Sequence, residues 1–290
     1  MKNSITLSAK YALVALLAVA TAFTAAGFAQ SAPAPEPAPT PVPTSTPAPR
    51  PEPIPVPTMP SPVPTIPPHG KLKPLFNGKN FKGFDTLLQD HGINNDPNHV
   101  FQVQDGALYI TGQEFGGLVT KKEYGNYYLR AEFKWGEKLY PPRVGKARDS
   151  GIQYNITGPL KVWARLMEFQ VAEGGTGDIW VLNGTGMTVD GRQYLSTTKG
   201  RGQYTRIPHI GRGPLVNVTG YRDPVDDLEN PHGEWNTLEL VLDHNTVMYF
   251  VNGRLANIGT DLNTTQGKIL FQCEGAEVYF RNMQIAKLKK

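Results

Sequence analysis

The residues best suited to chemistry lie in one short run, where an alternating segment passes into a glycine-rich turn. Glu168 and Gln170 alternate with apolar residues at positions 167, 169 and 171, and Glu173 and Asp178 follow in the turn. Side chains on a β-strand alternate between two faces, so Glu168 and Gln170 share a polar face. Carboxylates at the end of such a face suit general acid–base chemistry or oxygen ligation of a cation. A solvated hairpin is the alternative interpretation, because turns tolerate charged residues well.

The elements that must position this run are β-strands. Segments rich in β-branched and aromatic residues recur along the chain, and the pairs Asp105-Gly106 and Asn252-Gly253 favour hairpin turns. After residue 70, no window of about 12 residues shows a helical apolar stripe. We therefore predict an all-β fold in which two antiparallel sheets pack as a sandwich. The predicted strands cover residues 99–104, 107–111, 127–135, 161–171, 235–243, 247–251, 268–273 and 277–288.

Two segments depart from regular alternation. Near the C-terminus the apolar positions change parity between Phe280 and Met283, which predicts a β-bulge near Arg281 and Asn282. Residues 184–220 contain many glycines and polar residues with weak periodicity. This segment predicts long loops on one side of the sandwich, where function commonly resides.

The N-terminal part of the chain has the composition of an export signal followed by a spacer. Residues 1–29 combine early lysines with an uncharged stretch rich in Ala, Leu and Val and small residues for cleavage, which predicts a signal peptide. Residues 30–68 hold 17 of the 26 prolines, so we predict a disordered Pro-rich linker over 30–69. The expected location is periplasmic or secreted. Membrane attachment is expected only if the signal segment stays uncleaved as an anchor.

Composition excludes several classes of function for the remaining residues 70–290, which we interpret as one domain. The formal net charge is only +4, and the basic residues are scattered without a recognition motif, so a nucleic-acid partner is not expected. Cys273 is the only cysteine, which rules out an internal disulfide and a thiolate metal cluster. No histidine pair has the spacing of zinc ligands.

A series of short motifs over most of residues 73–289 resembles the bacterial 3-keto-disaccharide hydrolase domain family. The opening Leu75-Phe76-Asn77-Gly78 is similar to the start of that family, with Phe84 where tryptophan is usual. The order and spacing of the motifs together carry the resemblance. The others are Gly117-Leu118-Val119-Thr120, Lys146-Ala147-Arg148-Asp149-Ser150-Gly151-Ile152, Glu168-Phe169-Gln170, Gly233-Glu234-Trp235-Asn236, Val251-Asn252-Gly253 and Gly275-Ala276-Glu277-Val278-Tyr279-Phe280-Arg281-Asn282.

The chain departs from the family pattern at two places that bear on function. Many relatives carry Asn-Ser-Gly where this chain has Asp149-Ser150-Gly151, and Gln-x-His-Gly where it has Gln272-Cys273-Glu274-Gly275. A family histidine is therefore absent at position 274. The extended turn between Glu173 and Asp178 resembles only one branch of the family.

The resemblance implies a concanavalin-like jelly-roll fold and cleavage of glycosides whose sugar carries a 3-ketone. The ketone makes the C2 proton acidic, so a base can remove it. An enolate then forms, the C1 aglycone leaves, and water addition completes net hydrolysis. Such a reaction needs a base, an acid for the leaving group and charge stabilisation for the enolate. The implied partner is a 3-keto-glycoside.

The carboxylates are the candidates for these roles. Glu168 is the first choice, with Gln170 facing the same way, and Asp149 and Glu173 complete the predicted catalytic set. Glu168 and Asp178 are candidate ligands for a divalent cation that would polarise the ketone. Asp149 beside Arg148 has a surface ion pair as its alternative, and Asp178 has a turn cap as its alternative.

Aromatic, basic and imidazole side chains are the candidates for substrate binding. Trp163, Trp180 and Tyr154 could stack on a sugar ring, although aromatic residues in a sandwich more often belong to the core. His209 and His232 lie in predicted loops and titrate near neutrality, so either could act as an acid. Arg148 completes the predicted substrate-binding set.

Two functions remain open at the level of sequence. The first is an exported enzyme that cleaves 3-keto-glycosides. The second is a non-catalytic carbohydrate-binding module displayed on the Pro-rich stalk, because concanavalin-like sandwiches often only bind sugar.

Overall fold

The structure, a computed structural model, describes residues 53–200 and 202–289. The predicted signal peptide and the first part of the predicted linker lie outside the described residues. Strands, turns and irregular segments make up all of the described chain. Within that part, no helix is long and apolar enough to cross a bilayer.

In the part of the chain that the structure describes, nineteen strands form two large antiparallel sheets and a small hairpin, which confirms the all-β jelly-roll sandwich. Sheet 1 has the order β17-β16-β15-β8-β19-β5-β4, with β1 beside β19, and sheet 2 has the order β14-β11-β10-β9-β18-β6-β2-β3, with β7 beside β18. The bounds are β1 Lys73–Pro74, β2 Phe84–Leu88, β3 Gly92–Ile93, β4 Phe101–Gln104, β5 Ala107–Ile110, β6 Gly116–Thr120, β7 Tyr124–Gly125, β8 Tyr127–Leu139, β9 Asp149–Thr157, β10 Arg165–Ala172, β11 Ile179–Leu182, β12 Gly186–Val189, β13 Arg192–Leu195, β14 Tyr204–Ile207, β15 Asn236–Asp243, β16 Thr246–Val251, β17 Arg254–Gly259, β18 Gln266–Cys273 and β19 Ala276–Lys287.

The main core lies between the two sheets and follows from the alternation of β10. Met167, Phe169 and Val171 are fully buried and belong to one apolar cluster with side chains of sheet 1. The ring of Phe169 stacks on Tyr249 of β16 with centroids 4.1 Å apart. Burying each such side chain contributes about 1.5–3 kcal/mol relative to exposure. The predicted division of this strand into an apolar and a polar face is therefore confirmed.

The outer face of sheet 2 carries a second apolar cluster. The strand predicted over 161–171 starts only at Arg165, so the first part of that prediction is wrong. Val162 and Ala164 instead lie against Leu87 and Leu270 on the outer face. A turn after β9 brings this segment onto the face, where its apolar side chains are buried without entering the sheet.

The C-terminal strand confirms the predicted bulge. The register of β19 against β8 shifts between Arg281 and Gln284, and Asn282 has a φ of 51°. The extra residue lets Phe280 and Met283 both face the main core, where each is buried. Residues three positions apart in a regular strand would face opposite sides, and the bulge puts Phe280 and Met283 on the same buried side.

The segment 184–220 is more regular than expected. It contains the hairpin β12–β13 and the edge strand β14, which pairs with β11. Each of these strands has only four residues, too few to give a readable period in the sequence. The prediction of loops alone is corrected to this extent.

Residues 53–69 contact the sandwich although they form no strand of their own. Ile54 packs against the main core and Ile66 against an apolar cluster on the outer face of sheet 1. The backbone N–H of Thr58 donates to Asp190 Oδ2 at 3.1 Å. A boundary between linker and domain at residue 70 stays a prediction.

Candidate active site

One row of side chains crosses the outer face of sheet 2 and sets the position of the site. The antiparallel register places Glu168 of β10 opposite Trp180 on one side and Gln153 on the other. Trp180 in turn lies opposite Arg206 on the edge strand β14. A cation, an indole, a carboxyl and an amide therefore follow one another across four neighbouring strands.

A cavity of about 370 Å³ opens over this row. Its walls combine two tryptophans and a tyrosine with three carboxyl groups and two guanidinium groups. We call it the carboxylate cavity. It is lined by Arg143, Asp149, Trp163, Glu168, Gln170, Trp180, Leu182, Tyr204, Arg206 and Glu274.

Glu168 lies at the centre of this cavity and is only 3% exposed. Gln153 Nε2 donates to its Oε2 at 3.0 Å. Burial, followed by the nearby charge of Asp149, raises the pKa of Glu168 to about 8. A Cβ on Gly151 would lie 2.8 Å from Oε1 of Glu168, so only glycine on the neighbouring strand leaves room for this carboxyl. The pKa of Glu168 lies near the pH at which a proton-transfer residue works best.

Arg143 joins the other two carboxylates of the cavity. Its guanidinium forms ion pairs with both Asp149 and Glu274. Gln170 Nε2 donates to Asp149 Oδ1 at 2.5 Å, and Gln272 Nε2 donates to Glu274 Oε2 at 2.8 Å. Both carboxylates are therefore held in place by donors.

The pKa values of this pair are also raised. Burial and the charge of Glu274 raise the pKa of Asp149 above its usual range. Burial raises the pKa of Glu274 to about 7, against the opposing effect of Arg143. Burial and the proximity of the two carboxyl groups thus favour the protonated form of each, whereas Arg143 favours the ionised form.

Arg206 brings positive charge to the opposite end. Its Nε donates to Asp178 Oδ2 at 2.6 Å, and its guanidinium carbon lies 5.6 Å from the centroid of the Trp180 ring. A Cβ on Gly175 would lie 2.1 Å from Arg206 NH2. That nitrogen is buried and has no hydrogen-bond partner among the described residues. The glycine turn thus gives Arg206 the space to lie beside the indole.

Asp178 anchors this end and is not exposed to solvent. It forms ion pairs with Arg206 and Arg212, and His209 Nδ1 lies 3.0 Å from its Oδ1. Burial favours the neutral acid, but Arg206, the hydrogen bond from His209 and the charge of Arg212 together hold the pKa of Asp178 below its usual value. Two guanidinium groups, those of Arg206 and Arg212, thus share the carboxylate of Asp178.

The structure brings together five of the residues predicted from the sequence. Glu168, Gln170, Asp149, Trp163 and Trp180 all line the carboxylate cavity. The alternative of a solvated hairpin is wrong for the turn itself, because its carboxylates are buried. The surface ion pair considered for Asp149 is also corrected, because Asp149 is 8% exposed and pairs with Arg143 rather than with Arg148.

Glu173 and Arg148 do not reach the cavity. They form a buried ion pair with 2.6 Å between Oε1 and NH1. Glu173 Oε2 also accepts from the backbone N–H groups of Arg148 and Gly220, at 2.9 Å each, and Arg148 Nε donates to the carbonyl of Gly136 at 3.1 Å. Their catalytic and substrate-binding assignments are corrected, since these partners hold loops together and leave little of either side chain exposed.

Tyr154 lies between the sheets rather than on the outer face. It is not exposed to solvent, and its hydroxyl accepts from Tyr249 at 2.7 Å. Its position on β9 points it into the main core. Stacking of Tyr154 on a bound sugar is therefore wrong.

The two histidines are also outside the cavity. His209 is 1% exposed, and its Nδ1 lies 3.0 Å from Asp178 Oδ1. His232 lies on the surface, with its Nε2 3.0 Å from Glu137. Neither reaches a ligand in the carboxylate cavity, so neither prediction of substrate binding is supported by the geometry.

The predicted metal pair is corrected as well. Glu168 lines the cavity, whereas Asp178 is surrounded by guanidinium groups that would repel a divalent cation. Across residues 53–200 and 202–289, no group of three or more His, Cys, Asp and Glu side chains is arranged to hold a metal ion. We therefore derive no step through a metal.

Sequence reasoning missed three charged residues of the cavity. Glu274 had a signal, because the family pattern places histidine there and alternation puts it on the face opposite the buried Cys273. Arg143 lies in an irregular loop, and Arg206 lies in a strand of four residues. Neither of these two had a local pattern to mark it.

The fold and the cavity together define a jelly-roll protein with a polar, tryptophan-walled site on the outer face of one sheet. The chain belongs to the 3-keto-alpha-glucoside-1,2-lyase-like domain family, whose profile matches residues 71–286. This confirms the resemblance found in the motifs and identifies a carbohydrate-active protein. Among curated proteins, no sequence matches the chain.

Several solved structures resemble this chain at low sequence identity. A protein from Parabacteroides distasonis ATCC 8503, provisionally assigned as a glycosyl hydrolase, is 21% identical with a TM-score of 0.49, covering 75% of this chain and 94% of that one. A second such protein from the same organism is 20% identical with a TM-score of 0.46, covering 76% and 100%. Carbohydrate binding module CBM66 from Bacillus subtilis is 8% identical with a TM-score of 0.44, covering 71% and 96%.

Proposed function

We propose that this protein is an exported enzyme that cleaves 3-keto-glycosides by removing the C2 proton and releasing the C1 aglycone. The observation that carries the proposal is the carboxyl of Glu168, which is buried at the centre of the carboxylate cavity with a pKa of about 8. A carboxyl with this pKa can both accept and release a proton near neutral pH.

Of the three carboxyl groups in the cavity, Glu168 is the best placed to accept a proton from a substrate. Both oxygens of Glu274 accept hydrogen bonds, from Arg143 and Gln272. Asp149 is held by Arg143 and Gln170. Among the described residues, Glu168 has a single side-chain donor, Gln153, on Oε2, so Oε1 accepts no side-chain hydrogen bond from them. We assign Glu168 as the base and the other two carboxylates as residues that keep its pKa high.

The reaction then follows from the chemistry of a 3-ketone. Ionised Glu168 takes the C2 proton. The electron pair of the C2–H bond forms a double bond between C2 and C3, and the π pair of the ketone moves to the C3 oxygen, which gives an enolate. The bond between C1 and the leaving oxygen breaks as the enolate collapses to an unsaturated ketone. Protonated Glu168 returns its proton to the leaving oxygen. Addition of water across C1 and C2 completes net hydrolysis.

Arg206 is the group that we assign to the enolate. Arg143 is compensated by two carboxylates, whereas Arg206 and Arg212 share the single carboxylate Asp178. The NH2 group of Arg206 has no hydrogen-bond partner among the described residues, so it is available to an enolate oxygen. A fixed cation that faces developing negative charge in a dry site lowers the barrier more than it would in water. Trp163 and Trp180 supply flat walls for the sugar ring.

The test compares a 3-keto-disaccharide with its unoxidised parent on the mature protein. Keto-specific cleavage is expected, and Glu168→Gln should lower kcat by about 10²–10⁴-fold. The matched control is Gln193→Glu, an exposed position on β13 that does not line the cavity, and it should leave kcat unchanged. Absence of keto-specific cleavage by the wild type with both the 3-keto-disaccharide and phenyl 3-keto-glucoside would overturn the proposal. Sugar binding that survives Glu168→Gln without any turnover would favour the binding module.

A further inference from the structure

A second cavity lies next to the carboxylate cavity on the outer face of sheet 2. Its volume is about 360 Å³. Trp163 and Tyr204 line both cavities and form the wall between them. We call it the apolar cavity. It is lined by Leu87, Leu88, Gln89, Gly92, Leu160, Lys161, Val162, Trp163 and Tyr204.

The two cavities differ in their chemistry. The carboxylate cavity has three carboxyl and two guanidinium groups. Among the described residues that line the apolar cavity there is no carboxylate and no arginine. Gln89, Lys161 and Tyr204 are the polar side chains, and Lys161 and Tyr204 are both exposed. The deeper wall is built from Leu87, Leu160 and Val162.

The wall between the cavities is held in place. The ring of Trp163 packs edge-on against Phe115 with centroids 6.3 Å apart. Asn183 Nδ2 donates to the carbonyl of Trp163 at 3.0 Å, and Val162 beside it is buried in the outer apolar cluster. The indole thus presents fixed surfaces to both cavities rather than closing over one of them.

Size decides how a glycoside would occupy the two cavities. Ligand sites usually measure about 300–1,000 Å³, and each cavity lies near the lower limit. A sugar whose C2 faces Glu168 leaves little room in the carboxylate cavity for a bulky group on C1, and Trp163 and Tyr204 form the wall that this cavity shares with its neighbour. We place the C1 group beyond Trp163. The adjoining space in that direction is the apolar cavity.

We propose that the apolar cavity is the aglycone subsite of the enzyme and that it takes an aromatic aglycone; this inference rests on the proposed function. A second sugar would bring several hydroxyl groups against leucine and valine side chains that cannot hydrogen-bond, which is costly. An aromatic ring has flat apolar faces that fit between Trp163 and the aliphatic wall. The natural substrate class is therefore a 3-keto-glycoside of a phenol.

The experiment measures kcat/KM for phenyl 3-keto-glucoside and methyl 3-keto-glucoside. Leu160→Gln should lower kcat/KM for the phenyl substrate about tenfold more than for the methyl substrate, because it removes apolar contact with the ring. The matched control is Leu72→Gln, a half-buried leucine on the outer face of sheet 1, and it should change neither value. Equal losses for both substrates would overturn the inference and leave the proposed function intact.

A binding measurement keeps the inference testable if no 3-keto-glucoside is cleaved. Calorimetric titration with phenyl glucoside and methyl glucoside should show tighter binding of the phenyl compound, with the difference reduced by Leu160→Gln. Equal affinities in the wild type would overturn the apolar subsite. A preference for a disaccharide over phenyl glucoside would instead assign the cavity to a second sugar.

Discussion

Glu168 owes its chemistry to the side chains that surround it. Burial and the charge of Asp149 both favour the protonated carboxyl. Gln153, Arg206 and Arg143, in that order of size, oppose this effect and keep the pKa of Glu168 from rising further. The result is a proton carrier near neutrality on a sheet face, whereas an exposed glutamate would be ionised throughout the same range.

We predict that kcat/KM rises with pH through a midpoint near 8. The base must be ionised, so activity should increase about tenfold per pH unit below the pKa of Glu168 and level off above it. The measurement is a pH profile of kcat/KM with a 3-keto-disaccharide. A profile that falls through this range would instead make Glu168 the general acid.

Asp149→Asn provides a test of the cause of this pKa. The negative charge of Asp149 raises the pKa of Glu168. Asp149 also pairs with Arg143, whose positive charge lowers the pKa of Glu168. Removing the charge should therefore move the midpoint of the profile to lower pH. A midpoint that stays in place would show that burial alone sets the pKa.

At the scale of elements, the glycine turn after β10 leaves space into which side chains from other segments pack. The Cβ that Gly175 lacks would occupy the place of Arg206 NH2, and the one that Gly174 lacks would overlap the ring of Tyr221. The turn thus positions residues that approach from β14 and from a distant loop. The turn therefore contributes to the site through the space beside its glycines, and not through its acidic side chains, Glu173 and Asp178, which were the residues noted in the sequence.

We predict that Gly175→Ala separates activity from stability. Gly175 does not have a positive φ, so alanine fits the backbone, and the group that must move is the flexible end of Arg206. kcat should fall by about tenfold or more as the enolate loses its cation, while Tm changes little. The matched control is Gly70→Ala, whose nearest neighbour would be 3.5 Å away. A loss of Tm with unchanged kcat would contradict this role for the turn.

At the scale of the whole molecule, buried charge pairs tie the loops at one end of the sandwich together. Glu173 and Arg148 join the start of β9, the end of β10 and the loop at Gly220, and Arg148 also contacts the carbonyl of Gly136 in β8. The pair therefore connects both sheets with a loop outside them.

We predict that Glu173→Ala lowers the free energy of unfolding by about 3–5 kcal/mol, because it leaves the buried guanidinium of Arg148 without its partner. Denaturant unfolding measures the loss, and the folded fraction should keep its KM, since neither residue lines the cavity. The control is Glu137→Ala, which removes the exposed partner of His232 and should have little effect. A lowered kcat with unchanged stability would return Glu173 to the predicted catalytic set.

The sequence by itself determined the fold class, the polar face of β10 and the bulge in β19, because each depends on side-chain alternation within one strand. It also placed Asp149, Glu168 and Gln170 in one motif series. The partners of these residues depended on tertiary structure. Arg143, Arg206 and Glu274 lie on separate strands and loops, and only the strand order of sheet 2 brings them to one cavity.

Burial was the other property that only the tertiary structure decided. Glu173 and Asp178 resemble exposed turn carboxylates in the sequence, yet arginines from other loops and strands enclose both. Tyr154 and Trp163 are both aromatic residues beside polar ones. Tyr154 lies in the core because of its position in the alternation of β9, whereas Trp163 follows a turn and lies on the outer face of sheet 2. Alternation is a local property that a sequence displays, whereas enclosure depends on which distant segments pack together.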